Sequence, residues 1–513
     1  MDFWSIVLSL GIGVFGILYL FKQFNLWKRH EVLYIPLISV FGGMLSVIFR
    51  QVTFGDNLKK MYNSNPDAKY IGMYLTTKPL FLLRDPELIK AILIKNFEVF
   101  PNRRGFGDLN ESLFSKSLFS LQGEKWRNVR NLLSPSFTSS KMKNMFILMS
   151  ECAADFVKYL SELPVSTSEI NIKDAFTKYT NDVIATCAFG IKINSMKDPE
   201  NKFYVYGKEA TDFSGLRGFK LLIFGTLPIL GKILNLKILS KDASDFFRDS
   251  IQTTIATRDA EHITRPDMLQ LMMDVRGKEG RRALDIEEIV AQAFIFFFGG
   301  FDTTSTTMCF AAHSVAVNPD VQIKLRQEID NVLEESRGEV TYEAINQLEY
   351  LEAVINETLR MYTPIGLLER ICETDYELPP ALPGEKPFVM KKGMIFWIPT
   401  LAIHYDEKYY DDPGEFRPER FLYKRYHNSP VYLPFGAGPR MCIANRFALL
   451  EVKVLLFHLL ARCELKPCAK TTIPMRFKKD SSLAPENGFW LNIQRRSDTH
   501  SDLESTLNTG INS

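Results

Sequence analysis

The chain has 513 residues, 46% hydrophobic and 24% charged, with 62 Lys and Arg against 60 Asp and Glu. A net charge of +2 excludes a nucleic-acid binder driven by bulk charge, and a globular chain of this length can bury a large core. Length alone suggests about three domains. No long Pro-, Gly- or Ser-rich run divides the chain between residues 51 and 496, however, so we read one large, mainly helical catalytic domain there. The 7 cysteines are dispersed and lack C-x-x-C pairs, which fits a reducing compartment and not a disulfide framework.

In chain order, residues 3–21 are almost wholly apolar, and about 20 such residues cross a bilayer core. Asp2 precedes them and Lys22, Lys28 and Arg29 follow, the reverse of a cleaved signal peptide. We therefore expect a transmembrane anchor over 1–21 with the chain from 22 onward in the cytosol. Residues 22–50 form a linker whose apolar part, Val32 to Phe49, is broken by Pro36, Gly42 and Gly43 and reads as interfacial or re-entrant. The dinucleotide-like run Gly11-Ile12-Gly13-Val14-Phe15-Gly16 lies inside the apolar segment, where small residues are ordinary. Strand-like pieces occur near 69–84, 388–398 and 473–493. Residues 497–513 are polar and read as a disordered tail.

Asp285 to Asn318 predicts one long helix. Asp285 and Glu288 suit an N-cap and its third-position partner, and Pro319 closes the pattern. Its middle, Phe294 to Phe298, is apolar all round, as in a helix buried in a core. Gly299 and Gly300 then allow a local opening of the helical ladder. Asp302 and Thr303 follow, an acid and a hydroxyl in a dry region. From the residues alone two readings stay open: a kink in which Thr303 bonds back to a backbone carbonyl, or a carboxyl–hydroxyl pair kept for chemistry, since an isolated buried carboxylate is expensive. Leu348 to Tyr362 predicts a second helix that places Glu357 and Arg360 on one face. Trp126 and Arg130 share a face at i,i+4.

The run Phe435-Gly436-Ala437-Gly438-Pro439-Arg440-Met441-Cys442-Ile443-Ala444 places one cysteine in a turn-rich loop just before an amphipathic stretch. Free N–H groups at a helix start and the nearby Arg440 favour a thiolate, the form that binds a soft metal.

Phe435, Gly438, Arg440 and Cys442 match the haem-binding signature of the cytochrome P450 family, with Ala444 where the last glycine usually stands. The resemblance extends over roughly 50–496 and takes in Gly299 to Thr304, Glu357 with Arg360, Pro418 to Phe421, and Trp126 with Arg130. It is similar to insect microsomal members, particularly family nine, which are associated with oxidising plant compounds and insecticides. The resemblance implies a mainly α fold with small β-sheets (α+β) and haem b held through the Cys442 sulfur. It implies that Trp126, Arg130, Arg370 and Arg440 clamp the haem propionates, and that Glu357, Arg360 and Arg420 form a buried network supporting the cysteine loop. It assigns Thr303 to hydrogen bonding of dioxygen and Asp302 to proton relay. Pocket positions carried over are Phe106, Phe114, Phe119, Phe213, Phe219, Phe298, Phe301, Ile365, Gly366 and Leu483, and the cavity should take lipophilic molecules.

The sequence has no flavin or nicotinamide module. Electrons must therefore come from elsewhere, and the resemblance implies NADPH through a membrane-bound flavoprotein cytochrome reductase, with cytochrome b5 as a further candidate partner. Arg127, Lys141, Lys143 and Lys453 are candidate docking cations. The expected address is the endoplasmic reticulum membrane with the catalytic domain on the cytosolic side, where the sequons at Asn110 and Asn356 would be silent. A haem-thiolate isomerase or dehydratase that uses no dioxygen, and a haem sensor or carrier, are the alternatives. NADPH-dependent oxygen uptake discriminates among them.

Overall fold

The computed structural model describes residues 25–496, apart from 76–77, 106–110, 165–167, 214, 227, 266, 275, 277–283, 425, 427 and 481–482. The apolar segment 3–21, the tail 497–513, Phe106 and the side chain of Phe219 lie outside the described residues. Among the described residues no helix is long and apolar enough to cross a membrane.

The chain from Leu26 onward is not a free linker. Trp27 is fully buried, packs at a tilt with its ring centre 4.8 Å from that of Phe81, and donates its indole N–H to the Met73 carbonyl at 3.2 Å. Gly72 makes room for it, since a Cβ there would stand 2.9 Å from the Trp27 ring. Helix α1 (Leu37–Ile48) follows Pro36 and, with Phe49, turns an apolar outer face to solvent at Ile38 and Phe49. Helix α2 (Phe54–Tyr62) is capped by Thr53, whose hydroxyl accepts from the Asp56 N–H.

The 69–84 stretch forms the antiparallel hairpin β1 (Tyr70–Leu75) and β2 (Lys78–Leu83). β2 pairs in parallel with β7 (Ile395–Ile398), which pairs antiparallel with β4 (Leu368–Ile371). β3 (Glu169–Asn171), β9 (Trp490–Arg495) and β8 (Cys463–Lys466) make a second sheet, and β5 (Tyr376–Leu378) pairs with β6 (Phe388–Met390). The strand expected over 473–493 forms only from Trp490. Pro474 and Pro485 each remove a ladder donor upstream of it.

The rest of the domain is helical: α3 (Gly123–Leu133), α4 (Ser139–Ser161), α5 (Ile172–Phe189), α6 (Lys202–Thr211), α7 (Lys241–Glu261), α8 (Ile286–Val317), α9 (Pro319–Glu335), α10 (Glu349–Met361) and α11 (Asn445–Arg462). Helices α4, α5, α8 and α11 pack as a bundle in which α5 and α11 each lie against both α4 and α8. The predicted capping box forms: the Asp285 carboxylate accepts from the Glu288 N–H at 2.6 Å, and the Glu288 carboxylate accepts from the Asp285 N–H at 3.2 Å.

Helix α8 runs unbroken from Ile286 to Val317, so Gly299 and Gly300 do not interrupt it. The two glycines do different things. A Cβ on Gly300 would sit 2.7 Å from Ile184, so this glycine lets α5 close on α8. A Cβ on Gly299 would meet nothing within 4 Å, which leaves an open face in the middle of a core helix.

Candidate active site

The cysteine loop is set by two left-handed glycines. Gly436 has φ +73° and Gly438 φ +71°, conformations that L side chains rarely adopt. Gly438 is also sterically fixed, because a Cβ there would lie 2.0 Å from the Leu93 carbonyl oxygen. The loop closes with the Cys442 N–H donating to the Phe435 carbonyl at 2.9 Å. Two residues on, Ala444 caps α11 at φ −95°, where a Cβ brings no strain, so the family's glycine is not needed for the backbone.

Cys442 has exposed surface, yet burial is the largest influence on its thiol and pushes it up. These agree if the exposed sulfur faces an interior cleft and not bulk water. The Ala444 N–H, Arg130 and Arg103 pull the thiol the other way. That is the polarity a thiolate ligand requires.

Four arginines converge beside this loop. Arg440 donates to the carbonyls of Pro101 at 2.8 Å and Leu121 at 2.9 Å, and lies 4.0 Å above the Trp126 ring. Trp126 thus meets Arg440 with its ring face. Arg370 donates to the Glu369 carbonyl at 2.8 Å. Burial pushes Arg440 down to about 8, with Arg103, Arg370 and Arg130 adding repulsion. Burial and Arg103 push Arg370 down to about 9, and burial also lowers Arg130. Arg103 lies in no motif, and only the fold brings it to this cluster. It is pushed down to about 10 by burial and lies 3.8 Å over the Phe119 ring.

Glu369, the nearby carboxylate, is held by Arg104 at 2.8 Å and by the Trp397 indole N–H at 3.1 Å. Arg370 Nε and Arg440 Nη1 are buried with no hydrogen-bond partner among the described residues. Crowded cations with orphaned donors call for anionic oxygens. The two propionates of haem, with the Cys442 sulfur beside them, fit that requirement.

On α8, Asp302 does not stand in the dry region expected from the sequence, since its side chain keeps 46% of its exposure, and it has a charged partner. Lys173, in the first turn of α5, places Nζ 2.7 Å from Asp302 Oδ1 and donates also to the hydroxyls of Ser305 at 2.8 Å and Thr306 at 2.7 Å. No sequence signal pointed to Lys173, because the contact joins residues 129 positions apart. Thr303 Oγ1 donates back to the Gly299 carbonyl at 2.5 Å, so its hydroxyl stands one turn along from the open face.

The supporting network is assembled. Glu357 and Arg360 have no exposed surface and pair at 2.7 Å, while Arg420 Nε reaches Glu357 at 3.3 Å. Arg360 also donates to the carbonyls of His404 at 2.8 Å and Pro413 at 2.9 Å. The Leu433 N–H donates to His404 Nε2 at 3.0 Å, which links the network to the segment entering the cysteine loop.

Of the pocket positions, Phe298 is half-buried and contacts Phe213 at 5.9 Å and Phe114 at 5.2 Å between ring centres. Phe114 and Phe301 are enclosed in the aromatic core. Phe301 packs on Phe297 and Tyr204 along the side of α8 that faces α6. Ile365 is exposed, Gly366 accepts the Leu401 N–H at 3.1 Å, and Leu483 is half-buried against the helical core. Among the docking cations, Lys453 is buried and paired with Glu352 at 2.9 Å, so it is no surface charge. Arg127 pairs with Glu98, and Lys143 pairs with Glu343 at 2.7 Å.

The family model described as Cytochrome P450 matches residues 36–493. Cytochrome P450 9e2 of Blattella germanica is 41% identical over 94% of this chain and 96% of its own length. Probable cytochrome P450 9f2 of Drosophila melanogaster is 37% identical over 92% and 95% of the two chains, and Cytochrome P450 6j1 of Blattella germanica 36% identical over 93% and 95%. With the cysteine loop and the arginine cradle in place, the chain belongs to the cytochrome P450 family of haem-thiolate monooxygenases.

Proposed function

We propose that this chain is a membrane-anchored enzyme of the endoplasmic reticulum that inserts one oxygen atom into lipophilic small molecules such as plant compounds or insecticides. NADPH supplies the electrons through a cytochrome reductase, with cytochrome b5 as a second donor. Haem, when bound, supplies dioxygen activation at a thiolate-ligated iron. Cys442 provides the ligand sulfur. Arg370 and Arg440 bind the propionates with Arg130 and Arg103 beside them, and Trp126 fixes the plane of Arg440 by stacking on it.

Thr303 holds a proton on its hydroxyl at the edge of the open face, and Lys173 holds the Asp302 carboxylate one residue away. Phe298, with Phe213 behind it, offers an apolar wall without a charged group, which supports an uncharged substrate. The observation that carries the reading is the open face at Gly299 in the middle of a buried helix, beside these rings.

The test is incubation of the holoenzyme with reductase, NADPH and a panel of lipophilic compounds, read by mass. The reading expects products heavier by one oxygen atom and NADPH-dependent oxygen uptake. Turnover without oxygen uptake would replace it with an isomerase or dehydratase.

A further inference from the structure

The helical bundle contains a titratable group that none of the chemistry above uses. Glu451 lies on α11, fully buried, and neither of its carboxyl oxygens has a hydrogen-bond partner among the described residues. The hydroxyl of Tyr179 on α5 is likewise buried and without a partner there. Helices α5 and α11 both pack on α4 and α8, so they face one another across the bundle. Glu451 is the strongest electrostatic neighbour of the Tyr179 phenol, yet the two make no direct hydrogen bond.

Among the described residues no cation pairs with Glu451. Lys453 pairs with Glu352. From α4 the bundle presents Cys152, from α5 Cys187 and Asp182, from α8 Cys309 and His313, and from α11 His458. The three thiols are pushed up by burial, and the two imidazoles are pushed down to about 4 and about 3, so all five stay uncharged at neutral pH. Asp182 is engaged by Ser195, whose hydroxyl donates to it at 2.5 Å. Among the described residues no group of acidic, histidine or cysteine side chains could hold a metal ion there.

An ionised carboxylate without a counter-charge is strongly disfavoured in such a place. A neutral carboxylic acid and a phenol each donate and accept, and a buried water typically makes about three hydrogen bonds to groups of this kind. We propose that Glu451, carried as the neutral acid, and Tyr179 together bind a buried water at the centre of the bundle.

Three measurements on the full-length holoenzyme test this. A crystal structure should show water density between the Glu451 carboxyl and the Tyr179 hydroxyl. Infrared spectra at neutral pH should show a protonated carboxyl C=O band that shifts in deuterated water and disappears in Glu451→Gln. In a double-mutant cycle, Glu451→Leu and Tyr179→Phe should each lower the melting midpoint, and the combined variant should lower it by less than their sum. Additive losses, an ionised Glu451, or a site with no water density would each overturn the proposal. The first two measurements use the unaltered protein for the water and the band, so they decide the matter even if a variant fails to fold.

Discussion

Lys173 and Asp302 form an ion pair at 2.7 Å between the start of α5 and the middle of α8. Their side chains keep 30% and 46% of their exposure, so the pair contributes only about 0.5 kcal/mol to stability after solvent screening. Its weight is positional, because the same ammonium also gathers the hydroxyls of Ser305 and Thr306. Lys173→Met should therefore keep haem and fold while freeing the Asp302 carboxylate to move. We expect more hydrogen peroxide released per NADPH, in the same direction as in Thr303→Ala, with the melting midpoint nearly unchanged. Tight coupling of NADPH to product in both variants would remove these residues from proton delivery.

Arg360, with no access to water, donates to Glu357 and to the carbonyls of His404 and Pro413. Arg360→Ala leaves a buried carboxylate facing only Arg420 and the Arg417 N–H. The cost is about 3–5 kcal/mol, and the segments entering the cysteine loop lose their anchor. Purified protein should lack the Soret band of bound haem.

Gly438→Ala sets a Cβ into the Leu93 carbonyl and imposes left-handed strain as well. Strain of this sort costs about 1–3 kcal/mol even without a clash. Haem content per mole of protein should fall sharply. Gly436→Ala has the same φ problem but no neighbour closer than 3.7 Å, so it should be the milder of the two.

Three histidines make the fold acid-sensitive. Burial pushes His313 down to about 4 and His404 and His458 down to about 3, from an ordinary 6.5. Below pH 6.5 these imidazoles take up protons in the unfolded chain that the folded chain refuses, so their contribution is full above that pH and falls as pH drops toward 4, while the buried acids Glu451 and Asp182, pushed up by burial, offset part of it in the opposite sense. Each group contributes a slope of up to about 1.4 kcal/mol per pH unit. Melting midpoints measured from pH 7 to pH 5 should decline, and His458→Gln should flatten the decline. A midpoint independent of pH across that window would contradict the assignment.

The parts that depend on near neighbours are legible from local patterns. The capping box at Asp285 and Glu288, the Glu357–Arg360 face and the turn glycines around Cys442 all involve residues within a few positions of each other. What stayed hidden depends on distant segments meeting. Lys173 reaches α8 from another helix, Arg103 joins the cradle from the segment before α3, and Gly300 is explained only by Ile184. The burial of Lys453 is equally hidden, because a charge pattern cannot reveal that Glu352 lies opposite it. Phe301 is a pocket position by resemblance alone, and only the meeting of α6 with α8 shows its ring against Tyr204.

The central claim is that the Cys442 sulfur is the axial ligand of haem iron. The most direct measurement is the absorption spectrum of the reduced holoenzyme under carbon monoxide. A thiolate-type red shift of the Soret band, lost in Cys442→Ala, is the predicted result. Absence of the shift in the native protein, or its persistence in Cys442→Ala, would contradict the account.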